Sequence, residues 1–428
     1  MKAHIITFGC RQNENDSEKI MGVLESLGYT STDDIATADL VLFNTCAVRE
    51  HGEHRVYGNV GAMRKMKKDN PNLILGVCGC MMRQQHVAQK IKKSYPYVDI
   101  VFGTNSIHKL PEILYAAKSR RVFELEEDDI IHEEIPTSHA GGVIANVPIM
   151  YGCNNFCTYC VVPYVRGRER SREKQDILRE IEGLVVQGVR EVLLLGQNVN
   201  SYPGFAKLLE AVSEIPNLHR IRFISSHPKD FASDTMEVMA AKSNICNQLH
   251  LPFQSGSNKI LKDMNRRYTR EDYIEQIQRF REKIPNAAIT SDVIVGFPTE
   301  TNDDFEDTLS LIKEIEFDML FSFIYSKRKG TVAEKMAPVM TEPEIKRNFD
   351  RLLEAQAEIS LKKNLTLHNT TQKILVEGES KTNPEFICGR TDGGKIVNFA
   401  GNLNLIGELI DVKIIETKTW SLKGEILL

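Results

Sequence analysis

Met150-Tyr-Gly-Cys153-Asn-Asn-Phe-Cys157-Thr-Tyr-Cys160 is a cysteine-rich loop that directly follows an apolar run at Ala145–Met150. The apolar run predicts a buried strand. Three thiolates in one short loop can wrap a metal cluster, and a four-iron cubane held by three cysteines keeps one iron open. Zinc normally takes four ligands, so a structural zinc loop is the weaker alternative. The spacing therefore predicts an iron–sulfur site at the carboxyl end of a strand.

The sequence around this loop alternates between predicted strands and helices. The strands are expected at Ala145–Met150, Glu191–Leu195, Ile221–Ser225, Gln248–Gln254, Ile289–Val295 and Met319–Tyr325. The helices are expected near 173–187, 205–214, 231–242, 270–283 and 303–315. Repeated βα units of this kind are typical of an α/β barrel, which keeps its chemistry at the carboxyl ends of the strands. We expect a partial (β/α)6 TIM-like barrel over residues 143–366.

A second parallel α/β sheet is predicted for residues 1–135. Its apolar runs lie at Ile5–Phe8, Leu40–Phe43, Leu73–Val77 and Asp99–Phe102. Cys10, Cys46 and Cys80 follow three of these runs, so their thiols should meet at one edge of the sheet. The spacing alone leaves open whether they hold a second cluster or are buried apolar cysteines. Cys78, Cys246 and Cys388 are interpreted as structural.

The last part of the chain has a different pattern. A capping-box spacing at Thr341–Glu344 begins a helix that should run to about Leu365. Short strands with turn signals follow, which predicts a small all-β domain at 367–428. The acidic stretch 124–134 is interpreted as the linker between the first two domains.

Composition limits the classes of protein that fit. The 428 residues include 54 Lys and Arg against 58 Asp and Glu, for a net charge of −4. A surface that is basic throughout is excluded, so any nucleic-acid site must be local. Four arginines alternate beyond the cysteine loop: Arg166, Arg168, Arg170 and Arg172. An extended chain would point all four one way, where they could bind phosphates. The alternative is a solvated face, since acidic residues interleave. Lys327 and Arg328 belong to another local basic site.

Location is predicted from the absence of targeting features in the sequence. No apolar stretch approaches the length of a membrane helix, and the first residues resemble neither a signal peptide nor a transit peptide. We therefore expect a cytoplasmic protein without a membrane partner.

Several motifs together resemble the MiaB-type tRNA methylthiotransferases of the radical S-adenosylmethionine (SAM) superfamily. They occur in order along nearly the whole chain: Gly9-Cys10 with Asn13, Asn44–Glu50, Gly76–Cys80, the Cys153–Cys160 loop with Arg166–Arg172, Leu195–Asn200, Ser226–Pro228, Leu251–Ser257 and Gly296–Glu300. The closing β segment, with Gly389-Arg390-Thr391 and Val397-Asn398-Phe399, resembles the TRAM domain of that family.

This resemblance implies two [4Fe–4S] clusters, each with an open iron. Cys153, Cys157 and Cys160 would hold the cluster that binds SAM, and Cys10, Cys46 and Cys80 an auxiliary cluster. These six cysteines are the expected catalytic and metal-binding residues. The implied reaction places S–CH3 at C2 of N6-isopentenyladenosine at position 37 in the anticodon stem-loop of tRNA. This reaction requires an electron donor and a sulfur source. We also expect the protein to be a monomer.

Other residues are candidates for contacts with SAM. Tyr159 could stack on an aromatic ligand. Gly196, Gln197 and Asn198 resemble the superfamily element that contacts the SAM amino group. The resemblance also implies that Asp292, on the fifth strand, lies where the superfamily packs the adenine and ribose of SAM. His250 and Gln254 share one face of the fourth strand if it is extended, where polar side chains imply a ligand. The alternative for these two is a satisfied hydrogen-bond network in the core.

Competing functions remain open from the sequence. Within the same chemistry, the substrate could be threonylcarbamoyladenosine in tRNA or an aspartate of a ribosomal protein. From another class, the chain could be a non-catalytic iron–sulfur module that binds RNA. Only an enzyme would consume SAM under reducing conditions.

Overall fold

The structure is a computed structural model that describes residues 1–48, 50–126, 130–139, 141–381 and 383–427. Arg49 of the Asn44–Glu50 motif and the middle of the acidic stretch 124–134 lie outside these ranges. The predicted α/β class and the order of three folded units along the chain agree with the observed elements.

The amino-terminal unit is a six-stranded parallel sheet in the order β2-β1-β3-β4-β5-β6. Its central strand β3 is buried along its whole length, because helices cover both faces. The strands are β1 (Lys2–Thr7), β2 (Thr30–Ser31), β3 (Leu40–Thr45), β4 (Ile74–Gly79), β5 (Ile100–Phe102) and β6 (Val122–Glu124). The helices are α1 (Arg11–Ser26), α2 (Glu50–Asp69), α3 (Gln85–Ser94) and α4 (Leu110–Ala117).

The middle unit contains six parallel strands in two hydrogen-bonded groups, β7-β10-β11 and β12-β13-β14. An isolated bridge between Ile221 and Ile245 joins the groups, so the strands form an open, partial barrel. The main strands are β7 (Ile144–Pro148), β10 (Glu191–Leu195), β11 (Arg220–Phe223), β12 (Gln248–His250), β13 (Ala288–Val295) and β14 (Met319–Ile324). A separate pair, β8 (Met150–Tyr151) with β9 (Arg170–Ser171), lies beside the cysteine loop. The helices are α5 (Val162–Val165), α6 (Lys174–Val186), α7 (Phe205–Ser213), α8 (Ser233–Ala241), α9 (Asn258–Asp263), α10 (Arg270–Lys283), α11 (Asn302–Ile315) and α12 (Glu342–Leu365).

One strand is shorter than its sequence predicts. Strand β12 ends at His250, and Gln254 has a left-handed backbone with φ of 66°. The prediction that His250 and Gln254 share one face of a continuous strand is therefore wrong. Leu251 and Phe253 are nevertheless fully buried, which explains why the apolar pattern extends beyond the strand.

The carboxy-terminal unit is a closed five-stranded barrel in the order β15-β16-β17-β19-β18. Its strands are β15 (Thr371–Glu379), β16 (Phe386–Arg390), β17 (Ile396–Ala400), β18 (Leu409–Thr417) and β19 (Leu422–Ile426).

Two arginines fix this small barrel against the amino ends of the larger barrel's strands. Arg220 donates to the carbonyl of Arg390 at 2.6 Å, and Arg222 donates to that of Asp392 at 2.8 Å. Since Arg220 begins β11, the small barrel lies at the opposite end from the cysteine loop.

Candidate functional site

Cys10, Cys46 and Cys80 meet at the carboxyl edge of the amino-terminal sheet, after β1, β3 and β4. Cys10 Sγ lies 3.4 Å and Cys80 Sγ 4.0 Å from the same atom, Asn13 Oδ1. Cys46 Sγ accepts a hydrogen bond from the Val48 amide at 3.4 Å. Parallel strands that end at one edge bring these distant cysteines together, as their positions predict.

The backbone around this triad requires glycine. Gly9 has φ of 121°, and a Cβ there would lie 2.4 Å from Cys46 Cβ. Gly79, which precedes Cys80, has φ of 94° and would bring a Cβ within 2.4 Å of the Thr45 carbonyl oxygen. Side chains at either position would push the cysteine loops apart, so both glycines preserve the space between the thiols.

The electrostatics of the triad suit a thiolate-bound metal centre. A hydrogen bond from Cys46, together with the nearby Arg166 charge, lowers the pKa of Cys10 to about 6, against the effect of burial. Burial raises the pKa of Cys80 to about 11, which Arg166 partly offsets. The thiolate is the form that binds iron, and a positive metal centre would ionise the remaining thiols. The donor set and its surroundings therefore fit an iron–sulfur cluster.

The second triad is held in a loop that leaves β8. The Gly152 amide donates to Gln197 Oε1 at 2.5 Å, and the Cys153 amide donates to the Gly167 carbonyl at 3.2 Å. A Cβ on Gly152, whose φ is 75°, would lie 2.0 Å from the Arg168 carbonyl oxygen. Burial raises the pKa of Cys153 to about 11 and that of Cys160 to about 12. These buried thiols also fit a site in which a metal centre supplies positive charge.

The turn after α9 is hydrogen-bonded to the same cysteine loop. Asn265 donates from its side chain to the carbonyls of Asn155 and Phe156, both at 3.2 Å. Arg266 is buried, and its Nη1 lies 3.6 Å from Cys157 Sγ. In the sequence, Arg266 and Arg267 form a local basic pair. Nothing in that pattern indicates that the turn directs Arg266 inward.

The two triads lie on either side of one contact between domains. Ala47 and Cys80 from the first domain pack with Val161 and Val165 from the second in a single apolar cluster. Val161 follows Cys160 directly in the chain. The interface therefore joins the segment that carries one triad to the segment that carries the other.

Four buried side chains beyond β10 and β11 hold polar atoms without hydrogen-bond partners. They are Asn198 Oδ1, both amide atoms of Asn200, Ser226 Oγ and His227 Nε2. The two loops are adjacent, since the Val199 amide donates to the Ser225 carbonyl at 3.3 Å. Buried polar groups are nearly always paired, so this cluster indicates a polar ligand at the mouth of the barrel. A zwitterionic amino acid moiety such as that of SAM fits these groups.

The other candidates for cofactor contacts lie around the same mouth. Gly196 approaches Met150, and a Cβ there would lie 2.7 Å from Met150 Cγ. Tyr159 packs among the apolar side chains near Ile294. His250 Nε2 lies 3.7 Å from Asp292 Oδ1, so these two candidate side chains are close together. Gln197 supports the cysteine loop directly through Gly152.

The four alternating arginines do not all point one way, and that expectation is wrong. Arg166 is buried against Asp16, with Nη2 at 2.6 Å from Oδ2. Arg172 is buried and donates to Glu133 at 2.6 Å and to Glu180 at 2.5 Å. Arg168 is exposed, with its guanidinium 4.3 Å from the centre of the Phe156 ring. Arg170 is half-buried. The extended segment is too short for alternation to persist, because β9 contains only two residues.

The basic residues after β14 also differ from one another. Lys327 is exposed, whereas Arg328 donates to the Val48 carbonyl at 2.7 Å. Arg328 thus connects the end of the barrel to the loop that carries Cys46.

An aromatic surface on the edge strand β14 is absent from the sequence-based candidates. Phe321 and Phe323 are 47% and 39% exposed, and they pair in register with Asp292 and Ile294 of β13. The Phe321 ring lies 5.7 Å from the His250 ring in an edge-to-face arrangement. The alternation of phenylalanine in β14 could have indicated this face, but a buried strand would give the same pattern.

The described ranges contain neither a single-ion metal site nor a membrane-spanning helix. No three His, Cys, Asp or Glu side chains lie close enough together there to hold a single metal ion. Among the helices described, none combines the length and apolar character needed to cross a membrane.

Comparison with known families divides the chain as the fold does. Residues 147–312 match the Radical SAM superfamily, residues 2–103 match the Uncharacterized protein family UPF0004, and residues 365–427 match the TRAM domain. Similar solved structures include the radical SAM methyltransferase TsrM from Kitasatospora setae, at 15% identity and a TM-score of 0.59, covering 78% of this chain and 75% of that one. The cobalamin-dependent radical enzyme OxsB is similar with a TM-score of 0.56, 11% identity and coverage of 84% and 56%. These likenesses concern the fold.

Curated relatives match along almost the entire chain. A tRNA-2-methylthio-N(6)-dimethylallyladenosine synthase from Acetivibrio thermocellus is 49% identical over 98% of this chain and 90% of its own length. The corresponding protein from Clostridium tetani is 50% identical over 98% of this chain and 95% of its own length. With its two cysteine triads and its three matched units, the chain belongs to the family of tRNA-2-methylthio-N(6)-dimethylallyladenosine synthases, which are radical SAM methylthiotransferases.

Proposed function

We propose that this chain inserts S–CH3 at C2 of N6-isopentenyladenosine at position 37 of tRNA. The isopentenyl substituent is the dimethylallyl group in the relatives' names. One observation carries the proposal: the domain that holds Cys80 packs directly on the segment after Cys160. A reaction that draws on two metal centres needs them close together, and this contact supports that arrangement.

The chemistry explains why cysteine triads are needed. The hydrogen at C2 is bonded to an aromatic carbon and is not acidic, so a protein base of any tuned pKa could not remove it. When bound, the two [4Fe–4S] clusters and SAM supply radical chemistry and a site for the transferred sulfur. The chain's own residues bind, orient and shield these groups.

We assign SAM to the cluster of unpaired polar side chains at the mouth of the barrel. The unpaired atoms of Asn198, Asn200, Ser226 and His227 support binding of its amino acid moiety. Tyr159 and Asp292 would flank the nucleoside. Gln197 would act through Gly152 by holding the cysteine loop in place.

We assign the target base to the face formed by Phe321 and Phe323. Both rings are partly exposed, and the strand that carries them is the terminal strand of the group β12-β13-β14. Such a face can stack on an unpaired base or contact an apolar isopentenyl group. An adenosine in an anticodon loop is unpaired, so little free energy is needed to extrude it.

We propose that the RNA backbone is contacted by cations near the mouth and by the TRAM domain. Arg168, Arg170 and Lys327 are the candidates near the mouth. The TRAM domain lies at the other end of the barrel, so an RNA that reaches both must pass along the barrel's side. We further propose a cytoplasmic monomer that takes electrons from a one-electron donor and sulfur from a separate source.

Reaction of purified protein with defined substrates tests this proposal. Anaerobically reconstituted protein, dithionite, SAM and sulfide would be incubated with an anticodon stem-loop containing N6-isopentenyladenosine. Matched reactions would use the threonylcarbamoyladenosine stem-loop and a ribosomal-protein peptide containing the target aspartate. Mass spectrometry should find the methylthio product only in the first reaction. Product in either other reaction, or SAM left intact in all three, would overturn the assignment.

A further inference from the structure

Arg266 is a buried arginine directed at the cysteine loop of the barrel. Its residue is 5% exposed, and Nη1 lies 3.6 Å from Cys157 Sγ. Nη2 donates to the Pro252 carbonyl at 2.7 Å, and Nε donates to the Tyr268 hydroxyl at 3.0 Å. Every nitrogen of the guanidinium therefore has a partner, and one of these partners is a cysteine sulfur of the triad.

The backbone at Arg266 is held in an unusual conformation. Its neighbours Asn265 and Arg267 have φ of 59° and 58°, in the left-handed region that costs free energy for residues other than glycine. The Asn265 side chain is bonded to the carbonyls of Asn155 and Phe156 in the cysteine loop. The loop and the turn are thus built as one unit that directs Arg266 inward.

The charge of Arg266 has no carboxylate partner. No ion pair between described residues includes Arg266, and the partners of its three nitrogens are a carbonyl, a phenol and a cysteine sulfur. A buried guanidinium without an anionic partner is strongly unfavourable, so its surroundings must supply negative charge. Cys153, Cys157 and Cys160 are thiolates when they hold the cluster, and they are then the nearby source of negative charge.

Another buried arginine, beside the other triad, provides a contrast within the same molecule. Arg166 lies near the auxiliary triad, but Asp16 neutralises it through a 2.6 Å ion pair. Burial and the nearby Arg266 charge lower the pKa of His227 to about 2. The His227 ring is therefore neutral and does not compete with Arg266 as a second cation. The positive charge of Arg266 is therefore available to the cysteine triad of the barrel.

We propose that Arg266 is a positioning residue that raises the reduction potential of the cluster held by Cys153, Cys157 and Cys160. Reduction transfers one electron from an external low-potential donor to that cluster and adds one negative charge. A fixed cation and an N–H···S bond stabilise the more negative form more strongly. The inference rests on the proposed function for the identity of the cluster, and it does not depend on the RNA substrate.

The test is a potentiometric titration of the full-length holoprotein followed by electron paramagnetic resonance. The variants are R266Q, which removes the charge, and R266K, which keeps it. R267Q is the matched control, since Arg267 is the exposed neighbour on the same turn. Spectra of Cys10→Ala and Cys157→Ala identify which signal belongs to which cluster.

We expect R266Q to disfavour reduction at least about tenfold, which is about 59 mV for one electron. R266K should shift less, and R267Q and the auxiliary cluster should not shift. An unchanged potential in R266Q, or an equal shift of both clusters, would overturn the proposal. Weaker SAM binding without any change in potential would also overturn it, because Arg266 would then serve as a ligand for SAM.

A measurement on the native arginine keeps the proposal testable if R266Q does not assemble its cluster. Cys10→Ala protein would be grown with 15N-arginine, reduced, and examined by pulsed electron paramagnetic resonance. A nitrogen coupling to the cluster at the barrel supports the contact, and its absence contradicts it. Neither experiment uses RNA, so a shifted potential without methylthiolation would refute the proposed function and leave this inference standing.

Discussion

The Arg166 guanidinium donates to the Asp16 carboxylate at 2.6 Å, and both side chains are buried where the amino-terminal domain meets the barrel. Arg166 follows the cysteine loop of the barrel, and Asp16 lies on the helix that begins after Cys10. The ion pair therefore links the segments that carry the two triads. It adds a directional polar contact to the apolar contact between the same two domains.

Breaking this ion pair should destabilise the protein. Arg166→Met leaves Asp16 buried without its partner, which typically costs about 3–5 kcal/mol. The double variant Asp16→Leu/Arg166→Met removes both charges and should recover most of that loss. Anaerobic urea unfolding of the holoprotein measures both values. A cost below about 1 kcal/mol for Arg166→Met, or a double variant at least as unstable as the single one, would contradict this role.

Stability should depend on pH through Glu300. Burial raises the pKa of Glu300 from 4.5 to about 7, although the Gly296 amide donates to its carboxylate. A raised carboxyl pKa means that stability is full below about pH 4.5 and is lost as pH rises towards 7. Glu300→Gln can still accept from Gly296 and does not titrate.

Glu300→Gln should therefore gain stability relative to wild type between pH 5 and pH 8, by at most about 3 kcal/mol. Thermal unfolding at several pH values measures this gain. A difference between the two proteins that stays constant with pH would refute it.

The aromatic face of β14 should govern recognition of the target base. Phe321→Ala removes a partly exposed ring that could stack on the base, at a cost of about 1–3 kcal/mol. The KM for the modified stem-loop should therefore rise roughly tenfold or more, while SAM binding stays unchanged. Tyr115→Ala is the control, since Tyr115 is 78% exposed on α4. Equal KM values for Phe321→Ala and wild type would remove Phe321 from the substrate site.

Arg168 should contribute one phosphate contact. Its exposed position predicts that Arg168→Gln weakens stem-loop binding and reduces the slope of log affinity against log salt by about 1. Arg179→Gln, on α6 with a 75% exposed side chain, is the matched control. Fluorescence anisotropy over a range of salt concentrations measures both slopes. A slope for Arg168→Gln equal to that of the control would exclude the contact.

The positions of the strands along the chain, and of the cysteines after them, were accessible from the sequence because they depend on local patterns. Apolar runs located β3, β10 and β13 closely, and each cysteine of the first triad follows a strand. Parallel strands that end at one edge then bring Cys10, Cys46 and Cys80 together, whatever the details of packing.

Side-chain direction was not accessible in the same way. Arg166 and Arg172 share a pattern with Arg168, but only tertiary packing decides that the first two are buried in ion pairs. Arg266 is directed inward by two left-handed neighbours, which are not glycines and so leave no signal in the sequence. The short β12 likewise reflects the turn at Gln254, whose left-handed backbone interrupts an otherwise strand-like pattern.

The number of iron–sulfur clusters per chain can be measured from iron content together with Mössbauer spectroscopy. Anaerobically prepared wild-type protein should contain two four-iron clusters per chain. Cys10→Ala and Cys157→Ala should each retain one, and the two variants should lose different components of the spectrum. A single cluster in wild type, or zinc bound by Cys10, Cys46 and Cys80, would contradict the account.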